Sequence, residues 1–149
     1  MTESTNTDRI LNRLAINLGG SLLQYLGEAS PWSDPEVATE KEEAIRKLIV
    51  QQSAMVDQIL DLLTDRRCLI ESGTYPTEFS DLQYLSLDFL LTRTVENAEL
   101  HADVIAKSQA QFTDDETAFA LVEKLLAGQR SILAGLQELS SASRENTVG

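Results

Sequence analysis

At three points in this chain where a Ser or Thr is followed three positions later by Glu or Gln, an apolar stripe of helical period begins. The three sites are Ser33-Asp34-Pro35-Glu36, Ser80-Asp81-Leu82-Gln83 and Thr113-Asp114-Asp115-Glu116. This is the capping-box pattern, in which the first side chain and the fourth satisfy N–H groups that a helix start leaves open. Pro35 suits the first turn of its helix. Each box predicts a helix start, so most of the chain divides into long helices.

Four segments follow. Segment A runs from Asp8 to Ala29, with Thr7 as its cap and Leu11, Leu14, Leu18, Leu22 and Tyr25 on one face. Gly19-Gly20 interrupts it, where either a neighbouring helix comes close or the helix kinks. Segment B follows Ser33 to about Asp65, with Ile45, Leu48, Gln52, Met55, Ile59 and Leu62 or Leu63 as its stripe. Segment C carries Tyr84, Leu87, Leu91, Val95, Ala98, Ala102 and Ile105. Segment D carries Val122, Leu125, Gln129, Ile132, Leu136 and Leu139. The expected domain plan is a flexible terminus over 1–7, a bundle over 8–139 and a flexible polar tail over 140–149.

Connection lengths constrain the topology. A to B and C to D are short links, which make antiparallel hairpins. The B to C link, Arg66 to Phe79, is about 14 residues and reaches roughly 45 Å, enough to run the length of a bundle. The fold expected is an all-α four-helix bundle of two antiparallel hairpins joined by a long B–C crossover. An up-down-up-down bundle with a slack loop is the alternative.

Composition excludes several classes. With 24 acids against 12 bases the net charge is −12, which repels nucleic-acid phosphates and anionic lipid, so neither is an expected partner. No apolar run reaches the roughly 18 to 20 residues that span a bilayer, and from the polar start MTESTNTDRI no targeting leader is expected. A cytoplasmic location is the expectation. The single Cys68 offers no internal disulfide or multi-cysteine zinc pattern. No phosphate loop or nucleophile triad is visible.

Some residues carry a family likeness. Gln24-Tyr25 followed by Trp32, and the stretch Val56-Asp57-Gln58-Ile59-Leu60, are similar to the corresponding helices of bacterioferritin. From Leu11 to Leu139 the chain resembles the ferritin-like superfamily. The resemblance implies a di-iron plan of one Glu on A, one on C, and Glu-x-x-His on B and on D. Carried onto this chain, the A position falls on Leu18, the B pair on Leu48 and Gln51, and the D pair on Leu126 and Gln129. Only Glu96 serves on C. Both Glu-x-x-His pairs thus read Leu-x-x-Gln, and leucine has no donor atom.

What remains is a short set of metal candidates. Asp57 and Asp61, four apart, resemble the acidic pair of mini-ferritins, whose partner subunit supplies a His. Glu96 and His101, the only histidine, complete the set. Each also has a plainer role, as solvated surface or as a rim histidine. Gln51, Gln52 and Gln129 read as mid-bundle polar positions in place of ligands, hydrogen-bonded across helices. Met55 reads as core rather than as a haem ligand, and no cofactor is expected. Glu40, Glu42 and Glu43 beside Lys41, Arg46 and Lys47 read as a solvated face with local ion pairs. The functional expectation is a non-catalytic binding, scaffold or assembly module. The competing one is a metal-binding oxidoreductase or iron-storage protein with an atypical or intersubunit site. A dimer or larger homo-oligomer is expected, because Ile10, Ile16, Leu23 and Leu26 give segment A a second apolar face that needs cover.

Overall fold

The computed structural model describes residues 6–29, 40–71, 73, 75–76, 79 and 87–147. Among them every regular element is helical. The helices are α1 (Asn6–Gly19), α2 (Leu22–Ala29), α3 (Glu40–Asp65), α4 (Leu87–Ser108) and α5 (Glu116–Thr147), with a 3₁₀ turn at Gln109–Phe112. They make an all-α bundle of four rods, α1 and α2 forming one broken rod along α3. No helix among the described residues is long and apolar enough to cross a membrane.

The stripes read from the sequence are the core. Leu11, Leu14, Leu18 and Leu22 face inward from the broken rod, Ile45, Met55, Ile59 and Leu63 from α3, Leu91, Ala98 and Ile105 from α4, and Val122, Leu125, Ile132 and Leu136 from α5. Burying each of these side chains except Ala98 stabilises the fold by about 1.5–3 kcal/mol against exposure. Helix α5 comes close to α3 because Gly128 and Gly135, seven residues apart, leave room for Met55 and Leu48. A Cβ at either glycine would stand 3.0 or 3.1 Å from those side chains.

Several helix bounds differ from the expectation. Thr7 lies inside α1, and its hydroxyl donates to Asp115 at 3.3 Å. The box at Thr113 is displaced: Asp115 caps α5, its Oδ1 accepting the Ala118 N–H at 3.1 Å and its carbonyl the Phe119 N–H at 2.8 Å. The reason is local, since Thr113 and Asp114 still turn out of the 3₁₀ segment. Helix α5 passes Leu139 and continues to Thr147, with Ser140 buried. The boxes at Ser33 and Ser80, Trp32 and Tyr84 lie outside the described residues. Glu42 is 6 % exposed, so it does not belong to a solvated face.

Gly19-Gly20 marks a break, not a close approach. A Cβ on Gly19 would meet Val56 at an ordinary 3.9 Å. The Gly20 N–H still reaches Ile16 and the Ser21 N–H reaches Leu18, after which Leu22 leaves the ladder. The break shifts the phase of the buried face, so Leu23 and Leu26 are 2 % and 1 % exposed. Ile10 is packed against the core. The second apolar face on segment A, which motivated the expected oligomer, is therefore largely covered within the chain.

Candidate functional site

Polar groups meet at the height of the break. Glycine weakens the helix at Gly19-Gly20, and Ser21 restarts it as the cap of α2, its Oγ accepting the Gln24 N–H at 3.3 Å. The freed Leu22 N–H is taken by Asn97 Oδ1 of α4 at 3.0 Å. The break aims Ser21 and Gln24 at α3. Ser21 Oγ donates to Gln52 Oε1 at 2.7 Å, and Gln24 Nε2 donates to the same oxygen at 3.1 Å and to the Ile49 carbonyl at 2.9 Å. Ser53 Oγ donates to Gln24 Oε1 at 3.0 Å.

From there the chain of bonds crosses the core. Gln52 Nε2 donates to Gln129 Oε1 at 3.2 Å, and Gln129 Nε2 donates to the Ala98 carbonyl at 3.3 Å. Gln52 and Gln129 are 1 % and 0 % exposed. Helices α2, α3, α5 and α4 are thus joined in sequence by amides in which each nitrogen and each oxygen finds a partner. Because an unpaired buried amide costs about 1–3 kcal/mol, this completeness lets polar groups sit at mid-bundle.

A second polar cluster closes one end. Arg66, just past α3, donates from Nη1 to Asp8 of α1 at 2.8 Å and to Asp115 at 2.6 Å, and from Nη2 to the other oxygen of Asp115 at 2.7 Å. Hydrogen bonding from Arg66 is the main reason the Asp115 carboxyl is pulled down to about 2, against an opposing effect of burial. The Arg66 guanidinium is held above its ordinary value, chiefly by Asp115.

The remaining site candidates are scattered. Gln51 is half-buried and stands outside the relay, so the three glutamines do not act as one set. Leu18 and Leu126 are buried and Leu48 is half-buried against the core. Asp57 and Asp61 are exposed on α3. Glu96 is exposed and lies 3.5 Å from Arg93. His101 is half-buried with an unpartnered Nε2, and desolvation lowers its pKa. Among the described residues no three His, Cys, Asp or Glu side chains gather in a group that could hold a metal ion. Cys68 is a half-buried thiol in no disulfide, its Sγ–H donating to the Arg66 carbonyl at 3.9 Å.

Sequence reading missed Ser21, Gln24, Ser53 and Asn97 as relay members, and the whole of the clamp. One signal was present: Ser21-Leu22-Leu23-Gln24 after Gly-Gly is itself a Ser-x-x-Gln box. Compared with models of known protein families, with curated proteins and with solved structures, the chain matches none.

Proposed function

We propose that this chain is a ferritin-like bundle whose centre is held by amides instead of metal, and that it acts as a binding, scaffold or assembly module and not as an enzyme. Contacts along the helices support the ferritin-like course. Gly19 nears Val56 and Gly27 nears Ile49, while Asp8 meets Arg66, so α1–α2 and α3 run oppositely. Leu48 nears Gly135, Met55 nears Gly128 and Arg66 meets Asp115, so α3 and α5 also run oppositely. Helix α4 leads into α5 through Gln109–Phe112, which supports a parallel course for α3 and α4. The described residues of the link lie along α1–α2: the Glu71 N–H bonds Asn12, Gly73 packs on Ile16, Tyr75 meets the Tyr25 ring edge-on at 5.3 Å, and the Phe79 ring is tilted against it at 5.5 Å.

The observation that carries the functional reading is the relay itself. Neutral amides are poor iron ligands, and here their oxygens are already occupied by N–H and O–H donors. Recruiting them to a metal would strip Ser21, Gln24 and Gln52 of their partners. The test is metal content by mass spectrometry after growth with added iron and manganese, with thermal unfolding in chelator alongside. Metal-free protein whose melting temperature is unmoved by chelator is expected. About two ions per chain, lost to chelator with a fall in melting temperature, would revive a metal-dependent oxidoreductase or storage role.

A further inference from the structure

A groove of about 860 Å³ lies outside the bundle, between the outer face of α1 and the segment following α3. One wall carries Arg9 and Arg13, both exposed and one turn apart. Among the described residues no carboxylate pairs with either arginine. The opposite wall is Leu69, 83 % exposed, and Ile10 and Ile16 supply further apolar surface. Of the acids in the groove, Asp8 is committed to Arg66, which leaves Glu71 at the edge with its backbone N–H held by Asn12. Among the described residues two uncommitted cations therefore face one free carboxylate, on a chain with 24 acids and 12 bases. The groove thus offers an acidic ligand two positive charges.

We propose that this groove binds a short acidic peptide in extended form, with carboxylates at alternate positions and an apolar residue beside them. Geometry favours that occupant. Four residues of helix separate Arg9 from Arg13 by about 6 Å along the axis. Alternate side chains of an extended strand recur about every 6.6–6.8 Å on one side. Two carboxylates at i and i+2 then meet the two guanidiniums, each able to bind in forked fashion. The flanking apolar side chain covers Leu69 and Ile10. An open groove along a helix suits an extended segment better than an enclosed small molecule, which takes most of its surface out of water.

This inference rests on the reading of the chain as a binding module, and the two fail separately. Metal in the core would defeat that reading and leave the titration below unchanged. The experiment uses the full chain, a fluorescein-labelled Leu-Glu-Ser-Glu-Leu peptide and its neutral counterpart Leu-Gln-Ser-Gln-Leu, read by fluorescence anisotropy at low and high salt. Saturable binding of the acidic peptide alone is expected, weakening with salt and by about tenfold in the R9Q/R13Q double variant. The R9K/R13K variant recovers part of the loss, since it keeps charge without the fork. Backbone amide shifts at Asn12, Asn17 and Glu71 place the peptide in the groove. Because both arginines are exposed, circular dichroism of the variants should match the parent. Absence of saturable binding, equal binding of the neutral peptide, or binding unchanged in R9Q/R13Q overturns the proposal. So does equal competition by citrate, which would make the groove a site for small carboxylates. Self-association that disappears in R9Q/R13Q, without peptide binding, would assign the groove to a second copy of the chain.

Discussion

At mid-bundle, Gln52 and Gln129 are buried and neutral, and they join helices through single amide bonds of 3.2 and 3.3 Å. At the end of the bundle, Arg66 joins α1, α3 and α5 through charge, with shorter bonds of 2.6 to 2.8 Å and a quarter of its side chain still in water. Neutral amides can lie deep because each needs only partners, not solvation of a charge. A guanidinium between two carboxylates is better kept near the edge, where water reduces the desolvation cost. The relay therefore fixes which faces meet, and the clamp fixes where the helix ends meet. The first is insensitive to pH and salt, and the second is sensitive to both.

The largest effect should come from breaking the relay on one side only. Gln52→Leu strands Gln129 Oε1 and the Ser21 O–H and removes one bond of Gln24, and should cost about 2–4 kcal/mol in urea unfolding. The Q52L/Q129L pair should recover part of that loss, with a coupling of about 0.5–3 kcal/mol in the double-mutant cycle. Additive losses would show that the two amides do not act together.

Next in size is Arg66→Ala, which leaves Asp8, 6 % exposed, without its guanidinium. A loss of about 1–3 kcal/mol is expected, shrinking as salt is raised, whereas the loss in Q52L should not change with salt. Equal salt responses would erase the contrast between the two regions.

Acid should separate them further. Asp115 is held down to about 2 in the folded chain against 3.8. Its contribution, on the order of 2 kcal/mol, is therefore present above about pH 4 and lost as pH falls toward 2. Asp115→Asn should flatten that part of the stability profile. His101 acts in a higher window. Its folded pKa lies below the ordinary 6.5, so the unfolded chain takes up the proton first, and stability falls as pH drops below 6.5. Unfolding of His101→Gln should be flat there, while Q52L should keep the slope of the parent.

The smallest effect tests the backbone beside the clamp. Helix α3 ends with Arg67 at φ 57°, the Cys68 N–H bonding the Leu63 carbonyl and the Arg67 N–H bonding Thr64. Glycine is the ordinary residue at such an end. Arg67→Gly should stabilise by about 0.5–1 kcal/mol without disturbing Arg66. Destabilisation would mean that the Arg67 side chain has a role its exposure does not suggest.

The period of its apolar residues determined much of this protein. Leucine, isoleucine and valine at three- and four-residue steps can be buried only on one helix face, so the core of α1, α3, α4 and α5 followed from local spacing. The end of α3 at Asp65 did so too. Hydrogen-bond partnership between distant positions was legible only in outline. Gln52 and Gln129 stood in apolar stripes and had to be paired, but nothing local said that they pair with each other. Gly19-Gly20 was open to two readings, and the neighbours of α2 decided for a break, because Asn97 caps the freed N–H and the new phase buries Leu23 and Leu26. Asp8, Arg66 and Asp115 lie 58 and 49 positions apart, and each alone looks like an ordinary surface charge. Only packing of the helix ends made them a clamp, since a charge acquires its partner from the fold and not from its neighbours in sequence.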